Sequence, residues 1–314
     1  MMVQAILLAL APVFFVMALG YGAGRLGTVD NRHVDGFNAL VMDFALPASI
    51  FVATASAPRD ETLAQAPLFA ILGGVMLAVY LGWYAFARIR GGAADASLQA
   101  LTVAFPNLAG VGLPITSAVL GPSGTVPVAI GLAAGSLIVS PLTLVLVEMN
   151  TAKPDAAGSS AGLIARALKR ALLKPIVLAP ALGIALSLSE IELGRVADAC
   201  LGLIGDASAG VALFLTGLIL SAQAFRPDWK IIGATITGDV VRPLLTAAVV
   251  FALPIPTETA KVAILLAAVP AGFFGILFAV SYRLDSATAG SMVIASTVFS
   301  AVTLAAAIAL LSPF

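Results

Sequence analysis

The amino-acid sequence predicts an all-α membrane protein whose ten transmembrane helices form two inverted five-helix repeats. Three observations predict this class. Of 314 residues, 61% are hydrophobic and 10% charged, against about 45 to 50% and about 25% in an average soluble domain, so lipid must solvate most of the surface. The apolar runs suffice for ten spans of the roughly 20 residues that a bilayer core of about 30 Å requires. Patterns in the first half recur in the second at offsets near 163 residues, and an odd number of spans per half turns the second half upside down.

Composition also excludes function classes. Sixteen basic and sixteen acidic residues leave a net charge of zero, which gives nucleic acid no electrostatic footprint. One cysteine and one histidine supply neither a disulfide framework nor a His/Cys metal cage. No cofactor and no metal is expected.

Apolar runs place the spans near residues 4–24, 34–54, 66–88, 97–120, 126–148, 175–190, 197–222, 230–253, 258–282 and 290–312. The first run has no basic leader and exceeds the apolar core of a secretory signal, so it is read as a retained helix. Lys and Arg in short loops stay on the cytoplasmic side. Twelve of the sixteen basic residues lie in odd-numbered connections, among them Arg25, Arg88, Arg90, Lys153, Arg226 and Arg283, while the even ones hold Arg59, Arg195 and Lys261. Both termini are therefore expected outside a bacterial-type inner membrane.

The expected organisation is a first repeat over 1–150, a cytoplasmic linker over 151–174 and a second repeat over 175–314. Within the linker, Leu163, Ile164, Ala167, Leu168, Ala171 and Leu172 share one helical face, and Arg166, Lys169, Arg170 and Lys174 fill the other. Such a helix lies on the inner leaflet, either as a plain interfacial linker or as a lipid sensor; the linker is the simpler reading.

The repeat is carried by specific residues. Pro12 and Gly20 match Pro175 and Gly183, Asp43 and Phe51 match Asp206 and Phe214, and Pro106 matches Pro270. Ser136, Ser140 and Thr143 match Ser296, Ser300 and Thr303. Inverted repeats mark secondary transporters, with a substrate site at the midplane where helices are interrupted. The fourth and ninth spans are interrupted at equivalent depth. The fourth runs through Pro106, Asn107, Gly110, Gly112 and Pro114; the ninth through Pro270, Ala271, Gly272, Phe273, Phe274 and Gly275. Proline removes a backbone donor and glycine weakens the helix. Each second half-helix then presents free N–H groups and partial positive charge near the midplane, which suits a carboxylate. Asn107 either holds that carboxylate or satisfies freed backbone groups. Phe273 and Phe274 either flank an apolar substrate body or face lipid, packing being the simpler role for at least one of them.

Ionisable groups within spans are costly and therefore informative. Asp239 and Arg242, three apart on the eighth span, form either a structural ion pair or a substrate contact, Arg242 being the one cation within a span. Asp43 and Asp206 are repeat mates that either bind a coupling proton or sodium ion or cap loosened backbone. Ordinary surface and packing roles are expected for His33 and Cys200.

The segments APVFFVMALGYGAGRLG, VDGFNALVMDFALPASIF, FPNLAGVGLPI and VPAGFFGILFAVSYRLD resemble the auxin efflux carrier family, which includes bacterial transporters of malonate and malate. The resemblance covers essentially the whole chain. It implies crossing broken helices 4 and 9 like those of bile acid/sodium symporters, and carriage of small organic anions by elevator-like movement of a transport domain against a scaffold. Phe105 stands where plant members carry the first Asn of an Asn-Pro-Asn break, while Pro106 and Asn107 match; the acid carried is therefore not implied. The partners expected are a small organic anion and membrane lipids, and a homodimer is compatible with both. Two rivals remain: a sodium- or proton-coupled symporter or antiporter using Asp43 and Asp206, and an intramembrane aspartyl protease suggested by Gly205-Asp206 and Gly238-Asp239. The protease reading lacks any further motif, so no enzyme is expected.

Reporter fusions after Met1 and at Ser312 should read the outer side, and a fusion near Ser160 the cytoplasm. A cytoplasmic C-terminus would break the ten-span, inverted-repeat reading.

Overall fold

The computed structural model describes residues 2–89, 91–120, 124–151, 160–222 and 228–311. All regular elements among them are helical. In chain order they are α1 (Met2–Arg25), α2 (Asp35–Ala55), the short α3 (Arg59–Ala64), α4 (Ala66–Arg88), α5 (Ala93–Ala104), α6 (108–120), α7 (Thr125–Thr151), α8 (Ser160–Leu172) and α9 (Pro175–Leu188). The remainder are α10 (Arg195–Ser221), α11 (Trp229–Ala252), α12 (Thr257–Ala268), α13 (Phe274–Ser281) and α14 (Ala287–Leu311). Six of these, α2, α4, α7, α10, α11 and α14, are long and apolar enough to cross a membrane. The runs at 97–120 and 258–282 are each two helices separated by an extended break, α5/α6 and α12/α13. The run expected at 175–190 is a helix of 14 residues, about 21 Å at 1.5 Å per residue, shorter than a bilayer core.

Wide π turns interrupt three helices, at Leu40–Ala45, Leu108–Gly112 and Thr237–Val241. Each ends two residues before a proline, namely Pro47, Pro114 and Pro243. A proline ring collides with the carbonyl four residues back and offers it no N–H, and a wide turn relieves both. The carbonyls concerned belong to Asp43, Gly110 and Asp239, so the prolines locate the widened turns at three of the residues singled out by sequence.

Helix packing sorts the chain into two groups. Helix α1 packs most extensively on α10, and α2 on α9 and α10. The other group consists of α4, α5, α7, α11, α12, α13 and α14. Each group draws on both halves of the sequence. The first is held by glycine contacts that follow the 163-residue offset: a side chain at Gly20 would overlap the carbonyl of Phe214, and one at Gly183 would overlap Thr54 Oγ1 and lie 2.9 Å from the carbonyl of Phe51. Gly20 and Gly183 are offset mates, as are Phe51 and Phe214, so each half supplies the glycine for the other half's backbone.

Small residues let helix backbones approach in a membrane. Gly20→Val and Gly183→Val should each destabilise the folded protein by about 1 to 3 kcal/mol through overpacking, seen as a lowered melting temperature in detergent. Gly22→Ala, with nothing within 4 Å of the added atom, should melt as the parent does.

Candidate functional site

The two breaks meet. Beyond α5, Phe105 is extended, and beyond α12, Val269 is extended, and these two extended segments meet antiparallel at a single bridge between Pro106 and Ala271. The Asn107 N–H donates to the Pro270 carbonyl at 2.8 Å, and the Gly272 N–H donates to the Thr102 carbonyl at 3.2 Å. Glycine is required here by closeness. A Cβ at Gly272 would overlap the Phe105 carbonyl oxygen, and one at Gly275 would overlap Thr102 Oγ1. Phe105 stacks on Phe274 with ring centroids 4.5 Å apart, and Phe273 on Phe274 at 5.4 Å. Both Phe273 and Phe274 are fully buried within the protein, so both pack and neither faces lipid.

Asn107 begins α6 as its cap. Its Oδ1 accepts from the Gly110 N–H at 3.0 Å, satisfying an amide of the first turn. The Asn107 carbonyl accepts from the Val111 and Gly112 N–H groups. Gly110 keeps this turn tight, since a Cβ there would lie 2.9 Å from Asn107 Oδ1, and a Cβ at Gly112 would lie 3.3 Å from the Leu108 side chain. The cap uses only the amide's oxygen; its nitrogen makes no hydrogen bond among the described residues.

Arg242 reaches the same crossing from α11. It is 1% exposed, and its three nitrogens donate to three backbone carbonyls: Nε to Ala267 at 3.0 Å, Nη1 to Val103 at 2.6 Å, and Nη2 to Val269. Val103 and Ala267 lie in the last turns of α5 and α12 and Val269 caps α12, where carbonyls lack intrahelical donors. Arg242 and Asp239 therefore do not pair with each other. Asp239 Oδ1 instead accepts from Ser296 Oγ at 2.6 Å, and that same Oγ accepts the Ala271 N–H at 2.7 Å. Asp239 Oδ2 is buried with no partner among the described residues. Sequence reasoning had Ser296 only as a repeat mate of Ser136. It missed the acceptors of Arg242 altogether, because carbonyls carry no residue-type signal.

Asp206 and Asp43 lie apart from this network and from each other. Asp206, at the kink between the two halves of α10, lines a cavity of about 300 Å³ with Ser49, Ala53, Ala109, Leu113 and Ser208. That cavity lies between the two helix groups, against the first turn of α6. Asp43 lines a cleft of about 20 Å³ with Lys174, Phe278, Ser281 and Tyr282. Around the cleft, the Tyr282 hydroxyl donates to Glu148 Oε1 at 3.0 Å, and Arg170 Nη1 lies 3.9 Å from Glu148 Oε2. The linker helix α8 thus reaches, through Arg170, the Glu148 carboxylate that holds the cleft's Tyr282. Its exposed Leu168 and Leu172 fit an apolar face turned outward; the side chains of Leu163, Ile164, Ala167 and Ala171, like residues Arg90, Lys153, Arg226 and Ser312, lie outside the described residues.

The bland expectations for the remaining two residues hold no surprise. His33 Nδ1 lies 2.6 Å from Asp30 Oδ2 in the exposed loop after α1, and this hydrogen bond raises the imidazole pKa above its ordinary value while lowering that of the Asp30 carboxyl. Cys200 is exposed on α10.

The sequence pattern of membrane transport proteins matches residues 5–308. Relatives include the uncharacterized transporter YfdV of Escherichia coli, 28% identical over 286 residues and 89% of each chain. An uncharacterized transporter of Methanothermobacter thermautotrophicus is 25% identical over 299 residues, covering 93% of this chain and 94% of its own. Auxin efflux carrier component 8 of Arabidopsis thaliana is 24% identical over 326 residues, covering 88% and 89%. The protease alternative falls with these relatives, which are transporters, and with the separate surroundings of Asp206 and Asp239. With a match over nearly its whole length, the chain belongs to the membrane transport protein family, the family of the auxin efflux carriers, and is a multi-pass transporter and not an enzyme.

Proposed function

We propose that the protein carries a small organic anion, a carboxylate, across a bacterial-type inner membrane by alternating access. The observation that carries this reading is the cavity of about 300 Å³ lined by Ala109 and Leu113 of α6; Asn107, the cap two residues before Ala109, has an amide nitrogen with no partner among the described residues. Helix N-termini offer N–H donors and partial positive charge to anions, and a cavity of this size, largely apolar with few polar groups, suits a small ligand. The proposed site comprises Pro106 and Asn107 of the first break with Gly110 and Gly112 of the turn that follows it, and Pro270, Ala271, Gly272 and Phe273 of the second break, the second break serving as support.

In this reading ten spans form two inverted repeats, 1–150 and 175–314, joined by the linker 151–174, with both termini outside. The basic-residue count then puts the Asp206 cavity on the outer side and the Asp43 cleft on the cytoplasmic side. One is open and its repeat mate nearly closed, as alternating access requires of a single state. The elevator step is movement of the group containing α4, α5, α7 and α11 to α14 against α1, α2, α9 and α10, with α6 between them.

A coupled symporter is a second reading, favoured by one observation: Asp43 and Asp206, offset mates, each face a cavity or cleft on opposite sides. In proteoliposomes, Asp206→Asn should abolish the response of uptake to an imposed proton or sodium gradient while leaving exchange at equal gradients. If the parent protein responds to neither gradient, coupling through these residues is refuted.

Binding tests the site itself. After a thermal-shift screen of monocarboxylates, dicarboxylates and aromatic acids on purified protein, calorimetry on the acid found should show Asn107→Ala binding about ten- to a hundredfold more weakly, the loss of one hydrogen bond to a charged group. Asn107→Asp should bind more weakly still, since it sets like charge beside the anion. Parent-like affinity in both variants would move the substrate away from the crossing.

A further inference from the structure

The crossing gathers four helix ends, two of each sign. The N-terminal ends of α6 and α13 carry about half a positive charge each, and the C-terminal ends of α5 and α12 about half a negative charge each, so an unassisted crossing has no net preference for an anion. Arg242 lies on the negative pair. One of its nitrogens donates to Val103 at the end of α5, and the other two to Ala267 and Val269 at the end of α12. Val103 and Ala267 stand 164 residues apart, the same offset that relates Pro106 to Pro270, so a single guanidinium grips equivalent carbonyls of both repeats. Its unit charge matches the summed charge of the two ends.

The aspartate on this helix acts on the other break. Asp239 bonds Ser296, whose oxygen takes the Ala271 N–H, so this carboxyl sits behind the approach to α13. The first turn of α13 is also sealed, with Gly275 against Thr102 and with Phe273 and Phe274 buried. The first turn of α6, by contrast, opens through Ala109 to the cavity of about 300 Å³. In the first repeat, the positions 163 residues before Asp239 and Arg242 are Met76 and Val79, both apolar, so the device exists once.

We infer that Arg242 is a positioning residue that cancels the negative ends of both incoming half-helices, shifting the potential of the Ala109 cavity toward anions without touching the substrate. This deepens the carboxylate-carrier reading and rests on it, and the following test needs no substrate, so either can fail alone. Cys200, the single cysteine, is replaced by serine and Ala109 by cysteine. The ratio of modification rates with negatively and positively charged methanethiosulfonate reagents then reports the cavity's potential. Asp206 lines the same cavity in every variant, so only changes in the ratio are read.

Arg242→Gln should lower the ratio by on the order of a hundredfold: a unit charge at about 10 Å in a medium of effective dielectric about 20 changes each rate by roughly tenfold, downward for the anionic reagent and upward for the cationic one. Arg242→Lys, which keeps the charge but loses the fork, should retain most of the parental ratio. An unchanged ratio in a monodisperse Arg242→Gln protein overturns the inference, as does a fall in Arg242→Lys equal to that in the Gln variant. If Arg242→Gln does not fold, the Lys variant decides: a retained ratio supports the role of charge, a lowered one refutes it. If neither folds, the crossing needs the fork's geometry and not its charge, and the inference fails.

Discussion

Everything at the centre of this protein depends on one constraint: a helix broken inside a membrane frees backbone N–H and C=O groups that lipid cannot satisfy. An ordinary loop would leave those groups to water. Here they are met within the protein. The Asn107 and Gly272 amides find carbonyls on the facing chain, the Ala271 amide finds Ser296, the Gly110 amide finds Asn107 Oδ1, and the carbonyls at the ends of α5 and α12 find Arg242. The two breaks satisfy one another because they cross, so neither is stable alone. Gly272 follows from that, since the crossing chains pass too closely for any side chain there.

The same constraint accounts for the widened helices. Each of Pro47, Pro114 and Pro243 deprives a carbonyl four residues back of its donor, and each is preceded by a π turn. In α2 and α11 the turn carries an aspartate, Asp43 and Asp239, while in α6 it carries Gly110, whose amide Asn107 caps. A widened turn changes the angular position of residues on either side of it, which is how a straight apolar helix can aim a polar residue inward without breaking. π turns frequently mark functional positions for this reason.

Much of this was legible in the sequence. Helix breaks at Pro106 and Pro270 could be read because proline and glycine act locally, through a missing donor and a missing Cβ. The amphipathic α8 could be read from its charges at helical spacing. The offset pairs Gly20 with Gly183 and Phe51 with Phe214 were visible too, but not that they would interlock, each glycine meeting the other half's phenylalanine. That is tertiary information. The destiny of Arg242 was hidden for a related reason. A cation within a span suggests a charged partner, and Asp239 stood three residues away; the acceptors turned out to be carbonyls, which every residue has. The shortness of α9 was legible as well: the run ended at Ser189 and Glu190, and the helix stops two residues earlier at Leu188.

The two halves thus share a backbone plan but not a charge plan. Both contribute a glycine to the same kind of helix contact, both supply a broken helix, and both place an aspartate facing a cavity or cleft. Only the second supplies Asp239 and Arg242, with Met76 and Val79 at the equivalent places in the first. Two identical halves would have to place two guanidiniums at one crossing, where the three carbonyls are already occupied and the second charge would lie buried without a partner, a cost of several kcal/mol. A single arginine that reaches across to both repeats avoids that conflict. The asymmetry therefore follows from the geometry of crossing: a point where two helices meet has room for one charge, and one of the halves must go without.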